Sequence, residues 1–308
     1  TDNPFLLVFD TALPRHAGVQ ALKTPELRRL KKTLDKLETQ LEAASQEANV
    51  LTVFQISTAI IEKVSPVIPK QDDHKGAFLV RACQLANRHL LQLLPANLSP
   101  ELREKRLAFY FDLISEKSFP PELETAVVRF LAESAAEDSF FEKIRGLFDR
   151  KPHPAPQPVL NLFAAALAQR MLPEAVIRVL KDYSEHPAQA QQTITCLYEL
   201  HYWDAVSLTG MAFLETEQVR TGQTRKIEEM TLLAAEKSGN KKQYKTVLLH
   251  LFHRTGSEDI YLRLKNLAGS NWPETRAQLL GALSSGSDSL RLATLLAADD
   301  DLDALVDL

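Results

Sequence analysis

Hydrophobic residues recur at helical spacing along most of the chain. In the clearest case, segment 25–44, leucines follow one another at intervals of three or four residues: Leu27, Leu30, Leu34, Leu37 and Leu41. This spacing puts them on one narrow face of a helix, while most other positions are polar or charged. We therefore predict a long amphipathic helix that forms half of a helical hairpin with segment 49–65, or that pairs with a second chain.

Prolines and acidic residues mark further helix starts in the first half of the chain. Ser99-Pro100-Glu101 and Pro120-Pro121-Glu122 each place a proline and an acid in a first helical turn, and another helix is predicted from Asp138. We predict a helical bundle over residues 1–150. Within it, the apolar stretch Phe5–Phe9 is expected to be an extended arm packed on the first helices, with a short β-strand as the alternative.

The second half of the chain contains a degenerate repeat. Segment 151–158 holds four prolines and is predicted to be an extended connector. Beyond it, region 159–285 shows an apolar helix, a short break and a second apolar helix several times over. An Ala or Thr takes the matching place each time: Ala175, Ala205, Thr246 and Thr275. Two-helix repeats of about 30 to 45 residues are typical of tetratricopeptide-like and HEAT-like arrays.

The predicted fold is therefore all-α, with antiparallel helix pairs forming an α-solenoid that follows an N-terminal helical hairpin or bundle. A plain helical bundle is the alternative for the repeat region. Residues 286–308 end the sequence with many aspartates and are predicted to form short acidic helices.

One phrase in the repeat region is similar to a known family. The residues YLRLKNLAG and WPETR, within Tyr261 to Leu280, resemble the helical region that follows the zinc finger in bacterial SWIM zinc-finger proteins. The similar region, 160–285, is roughly 40% of the chain. The resemblance implies a helical-repeat scaffold. In that family the finger is a CxC…CxH arrangement thought to contact nucleic acid or protein, and this sequence has no such arrangement. The resemblance therefore implies neither zinc binding nor DNA binding here, unless a segment upstream of Thr1 carries the finger.

Composition narrows the class of protein. The chain has 308 residues, 45% hydrophobic and 25% charged, which is average for a folded protein and argues against disorder. A net charge of -4 excludes a strongly cationic nucleic-acid binder but not a local basic patch. Cys83 and Cys196 lie in apolar helical patterns and predict buried thiols in a reducing, cytoplasmic compartment. The apolar stretch near the start is too short for a membrane span or signal, so no membrane contact is expected.

The sequence shows no recognisable catalytic chemistry. His250 and His253 are three apart and could ligate a metal if a carboxylate reached them, but there is no HExxH motif and no cysteine pair at zinc-finger spacing. A nucleophile motif of the GxSxG type is also missing. We predict no catalytic residue, no metal and no cofactor, and therefore a chain that is not an enzyme. A helical enzyme with an unrecognised motif is a lesser alternative.

Our leading hypothesis is a protein–protein interaction scaffold whose partner is another protein or a peptide. Repeat turns often face ligands, so the predicted binding residues are Tyr202, Trp203, Lys241, Lys242, Tyr244 and Trp272. The rival hypothesis is a nucleic-acid-binding helical array in which basic helix faces contact phosphates. Its predicted residues are Arg28, Arg29, Lys31, Lys32, Lys241, Lys242 and Lys245.

Overall fold

The computed structural model describes residues 3–14, 17–18, 20–71, 73–93, 98–115, 121–151, 154–183, 186–215, 223–284, 289–299 and 301. Across these residues the chain is all-α, apart from one isolated bridge between Ala17 and Gln20. It divides into two compact units, unit 1 (Thr1–Arg170) and unit 2 (Met171–Leu308).

Unit 1 is a bundle of helices. In its described part they are α1 (Pro4–Ala12), α2 (Thr24–Gln46), α3 (Val50–Val64), α4 (Asp73–Gln92), α5 (Pro100–Ser115), α6 (Pro121–Ser134), α7 (Asp138–Arg150) and α8 (Gln157–Gln169). The predicted helix 25–44 is present as α2, and its partner segment 49–65 is present as α3. The leucines of α2 are buried against α1, α3 and α4. Because the exposed faces of α2 are almost entirely polar, a second chain would have to pair with charged side chains there.

The expectation of an extended arm at Phe5–Phe9 was wrong, because Pro4–Ala12 is a helix. Pro4 fixes a helical φ in the first turn, and the Asn3 side chain caps the helix by accepting the N–H of Phe5 at 3.0 Å. The same Asn3 side chain donates to the carbonyl of Gln55 on α3 at 2.7 Å, which anchors the cap to the bundle. Phe9 and Ala12 are three residues apart and are both buried, as expected for one face of a helix. The run of consecutive apolar residues from Phe5 to Phe9 shows no such spacing, so the sequence pattern did not indicate a helix.

The division between the units lies one helix later than the proline-rich connector 151–158. The prediction of an extended connector was wrong at its end, because α8 begins at Gln157 with Pro158 in its first turn, where proline fits a helix. This helix packs on α5, α6 and α7 of unit 1. Every residue from 159 to 168 is buried. The Asn161 amide within this stretch donates to Glu124 on α6 at 2.5 Å. Prolines in the connector therefore end α7 without ending the compact unit.

Unit 2 is an array of stacked helix pairs. Its described helices are α9 (Pro173–Lys181), α10 (Pro187–Glu199), α11 (Trp203–Leu214), α12 (Gln223–Lys237), α13 (Lys241–Thr255), α14 (Glu258–Ala268), α15 (Trp272–Ser284) and α16 (Ser289–Ala298). Helices α10 to α16 pack mainly on the next helix and often on the one after it, as in helical-repeat proteins. Three predicted pairs are present as α10/α11, α12/α13 and α14/α15, whereas the first predicted pair, α8/α9, is divided between the units.

The contact between α11 and α12 depends on a glycine. A Cβ placed on Gly210 would lie 3.1 Å from Cβ of Thr231 and closer still to the Thr231 hydroxyl. That hydroxyl donates to the carbonyl of Ile227 at 2.7 Å, so it is itself held in place. The close approach of the two helices therefore requires Gly210.

One segment, Val50–Lys70, is long and apolar enough to cross a membrane by length and composition. More than half of its most apolar window, 56%, is buried inside the structure, and α3 packs on α1, α2 and α4. Core helices of bundles meet the same criterion, so the segment is accounted for by packing in unit 1.

Candidate interaction surface on the turns of unit 2

The turn between α10 and α11 holds a residue in a strained backbone conformation. His201 has φ +68°, the left-handed region that usually takes Gly or Asn at the end of a helix. Two backbone bonds close the turn, from the N–H of His201 to Tyr198 and from the N–H of Tyr202 to Leu197, each 3.1 Å long. A histidine in this conformation costs roughly 1 kcal/mol relative to glycine. The His201 residue itself is exposed.

Trp203 is the first residue of α11 and is the centre of a stack of side chains. The His201 ring stacks on it with centroids 4.8 Å apart, and the Tyr198 ring meets it edge-on at 5.4 Å. The ammonium group of Lys237 lies 4.9 Å from the centroid of the Trp203 ring, within cation–π range. Tyr202, the residue before it, is the N-cap of α11 and is half-buried.

The turn between α12 and α13 lies beside this stack. Lys237 ends α12, and Asn240 caps α13 by accepting the N–H of Gln243 at 3.1 Å. The Gln243 amide donates to the carbonyl of Asp204 at 3.4 Å and to the hydroxyl of Ser207, which joins the start of α13 to the start of α11. The two turns therefore form one continuous surface.

Lys241 and Lys242 are the first two residues of α13, and Lys245 follows one turn later. All three are exposed, and within the described residues none of them takes part in an ion pair. Because the N-terminal end of a helix carries a partial positive charge, lysines in its first turn are unfavourable. The start of α13 is thus a site of uncompensated positive charge.

Tyr244 links this region to α14. It is half-buried and hydrogen-bonds to Arg263, a bond that helps to raise the pKa of the guanidinium. Arg263 also pairs with Glu236 of α12 at 3.7 Å and with Asp259 at 2.9 Å. We use the term turn surface for the residues that lie on or beside the two turns: His201, Trp203, Lys237, Lys241, Lys242, Tyr244 and Lys245.

The sequence-based list of binding residues missed His201 and Lys237. Lys237 belongs to a visible cluster of lysines, but its contact with Trp203 joins residues 34 positions apart and is made only by the fold. His201 lies where a helix ends before an aromatic pair, a position that could have been recognised as the helix C-cap.

Trp272 lies in a different cluster, around Asp299, the residue that follows α16. Its ring meets Tyr261 edge-on at 4.9 Å, and the Tyr261 hydroxyl donates to the Asp299 carboxylate. Lys265 and Arg276 each donate to the same carboxylate at 2.7 Å. The Asp299 side chain is only 4% exposed. Four residues of the SWIM-like phrase belong to this cluster: Tyr261, Lys265, Trp272 and Arg276. Their contacts with Asp299 join the end of α16 to α14 and α15.

Hydrogen bonds keep Asp299 charged. Burial alone would raise its pKa, but the bonds from Lys265, Tyr261 and Arg276 outweigh burial and hold the pKa below its usual range. Burial and the bond to Asp299 raise the pKa of Tyr261, so its hydroxyl stays protonated. The bond to Asp299 raises the pKa of Arg276 further.

The basic residues of the rival hypothesis form two groups. Arg28, Arg29, Lys31 and Lys32 are exposed on the first turns of α2 in unit 1, and none is in an ion pair with another described residue. The lysines of α13 belong to unit 2. The two basic groups therefore belong to different units.

The described residues include no group of three or more His, Cys, Asp or Glu side chains that could hold a metal ion. Nδ1 of His250 lies 3.9 Å from the Glu215 carboxylate, while His253 is exposed and its ring lies against Phe252. Cys83 and Cys196 form no disulfide and are buried, as predicted, and burial raises the pKa of the Cys83 thiol to about 12. A thiol with that pKa is a poor nucleophile at neutral pH.

An apolar cavity between α9, α10 and α11 is small. Its volume is about 30 Å³, and its lining includes Ile177, Tyr183 and Phe213. That volume suits a water-sized molecule rather than an organic substrate.

Comparison with known proteins identifies no family for this chain. No protein-family profile and no curated protein matches it. Among solved structures it is similar to a circular tandem repeat protein described as having novel repeat topology and enhanced subunit contact surfaces. The identity is 14%, the match covers 91% of this chain and 75% of that protein, and the TM-score is 0.23. At that TM-score the likeness supports no statement about fold or function.

Proposed function

We propose that this chain is a protein-interaction module, without enzymatic activity, that binds a segment of another protein on the turn surface. One observation carries the proposal: exposed lysines without ion-pair partners among the described residues lie on the turn next to Trp203, whose ring contacts both Lys237 and the exposed His201.

The helical-repeat packing of unit 2 favours this function. Stacked helix pairs place their turns along one edge, so that residues from successive turns reach a partner together. Trp203 and Lys237 come from different turns and already contact each other. Such a surface can bind an extended or helical segment without rearranging the core.

The absence of enzymatic activity remains a prediction, as do the cytoplasmic location and the SWIM-like relationship. The state of the reactive groups supports the absence of enzymatic activity. The two thiols are buried, the His253 ring is exposed, and the His250 ring lies beside a single carboxylate. The SWIM-like phrase contributes the residues around Asp299, which have a structural role in holding α16.

Nucleic-acid binding is the weaker alternative. A base-stacking site needs an aromatic ring with a free face. Trp203 already contacts His201, Lys237 and Tyr198. The exposed arginines of the rival set, Arg28 and Arg29, lie in the other unit.

Peptide selection with matched variants tests the proposal. A random peptide library displayed on phage is selected against the wild-type chain. Enriched peptides are then measured on Lys237→Ala/Lys241→Ala/Lys242→Ala and on the control Arg28→Ala/Arg29→Ala/Lys32→Ala. All six side chains are exposed, and each variant loses the same charge. We expect the enriched peptides to bind the wild type and the control but not the turn-surface variant.

The proposal fails if no peptide is enriched, or if the enriched peptides bind all three proteins equally. Far-ultraviolet circular dichroism of each variant establishes that the helices are intact before binding is compared.

A further inference from the structure

On the basis of the proposed function, we infer that the partner segment is acidic and carries a large apolar side chain that packs against Leu233. The first part of the argument is charge. Lys241 and Lys242 add two cations to the positive end of α13, and Lys237, the last residue of α12, precedes Lys241 by four residues. Lys245 extends the cluster by one turn. Carboxylates from a partner would neutralise charges that repel one another in the free chain.

The acidic residues nearest to these lysines do not neutralise them. Glu236 is paired with Arg263 at 3.7 Å, and no described carboxylate forms an ion pair with Lys237, Lys241, Lys242 or Lys245. Asp204 lies in the first turn of α11, where the helix end itself favours an acid, and it is exposed. Four lysines therefore face solvent with Asp204 as the nearby acid that lacks a cationic partner in the described chain.

An exposed leucine lies next to the cationic cluster. Leu233 is 40% exposed, although most leucines of unit 2 are buried or half-buried. It precedes Lys237 by four residues on α12, and residues four apart lie on the same face of a helix, roughly 6 Å apart at their Cβ atoms. A side chain that packs on Leu233 would thus place its own neighbours within reach of the Lys237 ammonium.

The same residues fit an acidic peptide better than a phosphate backbone. Arg263, the arginine bonded to Tyr244, is already bonded to Glu236 and Asp259, so the free cations at the surface are lysines. Lysines bind carboxylates as point charges, whereas phosphate recognition commonly relies on forked arginine contacts. The exposed Leu233 side chain would be unfavourable next to a nucleic-acid backbone but can pack on an apolar side chain of a peptide.

His201 allows binding to be separated from stability. Glycine adopts a positive φ without strain, so His201→Gly should relieve the strain in the turn while removing a ring that stacks on Trp203. If His201 had only a structural role, its replacement would not lower the affinity while the stability is kept. We expect His201→Gly to have a melting temperature at least equal to that of the wild type and an affinity about threefold lower.

The test is a titration of the full chain with fluorescein-labelled probes, read by fluorescence anisotropy. The probes are a short peptide rich in Asp and Glu that contains leucine, its isostere with Asn and Gln, its leucine-to-serine version, and a single-stranded oligonucleotide of similar length. We expect the acidic leucine peptide to bind most tightly, and its affinity to fall severalfold between about 50 mM and about 300 mM salt.

Variants locate the binding. Lys241→Glu/Lys242→Glu/Lys245→Glu should weaken the acidic peptide about 30-fold, while the matched control Arg28→Glu/Arg29→Glu/Lys32→Glu should change it less than about twofold. Leu233→Ser should weaken the leucine peptide about threefold and leave the serine version unchanged.

The outcomes separate this inference from the proposed function. Equal binding of the Asn and Gln isostere, with loss of both peptides in the lysine variant, overturns the acidic partner but leaves a protein-binding surface. Tighter binding of the oligonucleotide overturns the inference in favour of nucleic acid. If the lysine variant and its control bind the acidic peptide equally, the turn surface is not the site and both proposals fail.

Discussion

Unit 1 and unit 2 each bury a charged side chain, but they stabilise it in opposite ways. In unit 1 the Arg106 guanidinium donates to the carbonyls of Leu90 and Leu93 at 3.2 and 2.6 Å and lies 4.7 Å from the centre of the Phe130 ring. In unit 2 the Asp299 carboxylate accepts bonds from two cations, Lys265 and Arg276. The direct contacts of the first charge are neutral groups, and the second charge is part of an ion network.

This difference predicts different responses to solution conditions. Carbonyl oxygens and an aromatic ring do not titrate, and an arginine stays protonated even where burial lowers its pKa, as it does for Arg106. The interaction of a carboxylate with cations is lost when the carboxylate is protonated, and salt weakens it. The buried Arg106 of unit 1 should therefore stay charged at pH 8, at pH 5 and at lower pH. The contacts that attach α16 in unit 2 should be lost in acid.

The largest expected effect comes from Arg106→Ala. The substitution leaves the carbonyls of Leu90 in α4 and of Leu93 just after it without the guanidinium donor, and it opens a cavity beside Phe130. We therefore expect unit 1 to lose about 3 to 5 kcal/mol of stability. Urea unfolding and hydrogen exchange of the α4 and α5 amides measure it. A loss below about 1 kcal/mol would mean that water replaces the guanidinium and that its contacts with the two carbonyls and Phe130 contribute little to stability.

Asp299→Asn should have a smaller effect, about 1 to 3 kcal/mol, confined to the attachment of α16. The partners Lys265 and Arg276 are partly exposed, so water can solvate them once the carboxylate is gone. Hydrogen exchange of the α16 amides is the measurement. The matched control is Asp259→Asn, since Asp259 pairs with Arg263 on the exposed face of α14. If the two variants lower the exchange protection of α16 equally, the burial of Asp299 does not make its contacts more stabilising than those of Asp259.

The pH dependence follows from the same carboxylate. Because the pKa of Asp299 is depressed in the folded chain, its contribution is present above the unfolded pKa near 4 and is lost as pH falls through the folded pKa. Exchange protection of α16 should be steady from about pH 5 to pH 8 and should drop below about pH 4. Asp299→Asn should remove this acid dependence. A wild-type drop between pH 5 and pH 7 would contradict the lowered pKa.

Gly210→Ala tests packing in unit 2 without changing any charge. The new Cβ would press on Thr231, and we expect unit 2 to lose about 1 to 2 kcal/mol despite the better helix propensity of alanine. Both tryptophans of the chain, Trp203 and Trp272, lie in unit 2, so tryptophan fluorescence during urea unfolding reports on it. The second variant, Gly210→Ala/Thr231→Ala, removes the hydroxyl and methyl that clash and should recover part of the loss. If Gly210→Ala alone leaves the stability of unit 2 unchanged, α12 moves enough to accommodate the new Cβ, which contradicts the tight contact.

The helices themselves follow from local sequence signals. The leucine seam of α2, the Ser99 cap that accepts the N–H of Leu102 and the left-handed Gly269 at the end of α14 are all set by neighbours in the chain. In α1 the same kind of signal was present, an Asn3 cap followed by Pro4, but the consecutive apolar residues obscured it. Local patterns therefore predict where helices lie better than how they assemble.

What the sequence could not supply is the set of contacts between distant residues. Lys237 reaches Trp203, and Lys265 and Arg276 reach Asp299, only because the helices stack in a particular order. The division at Arg170–Met171 likewise depends on α8 packing on α6, which no proline pattern reveals. Trp272 could be recognised as a turn residue, but its place beside Tyr261 rather than on the turn surface required the fold.

The central claim is that the turn surface around Trp203 is where a partner binds. The most direct test is a two-dimensional ¹H–¹⁵N spectrum of the full chain titrated with the acidic leucine peptide, in which the two indole N–H signals are assigned by Trp203→Phe and Trp272→Phe. Trp203 lies on the turn surface, and Trp272 packs on Tyr261 in the Asp299 cluster, so each serves as the control for the other. The prediction is a saturable shift of the Trp203 signal with the Trp272 signal unchanged. A shift of Trp272 alone, or of neither signal, would contradict it.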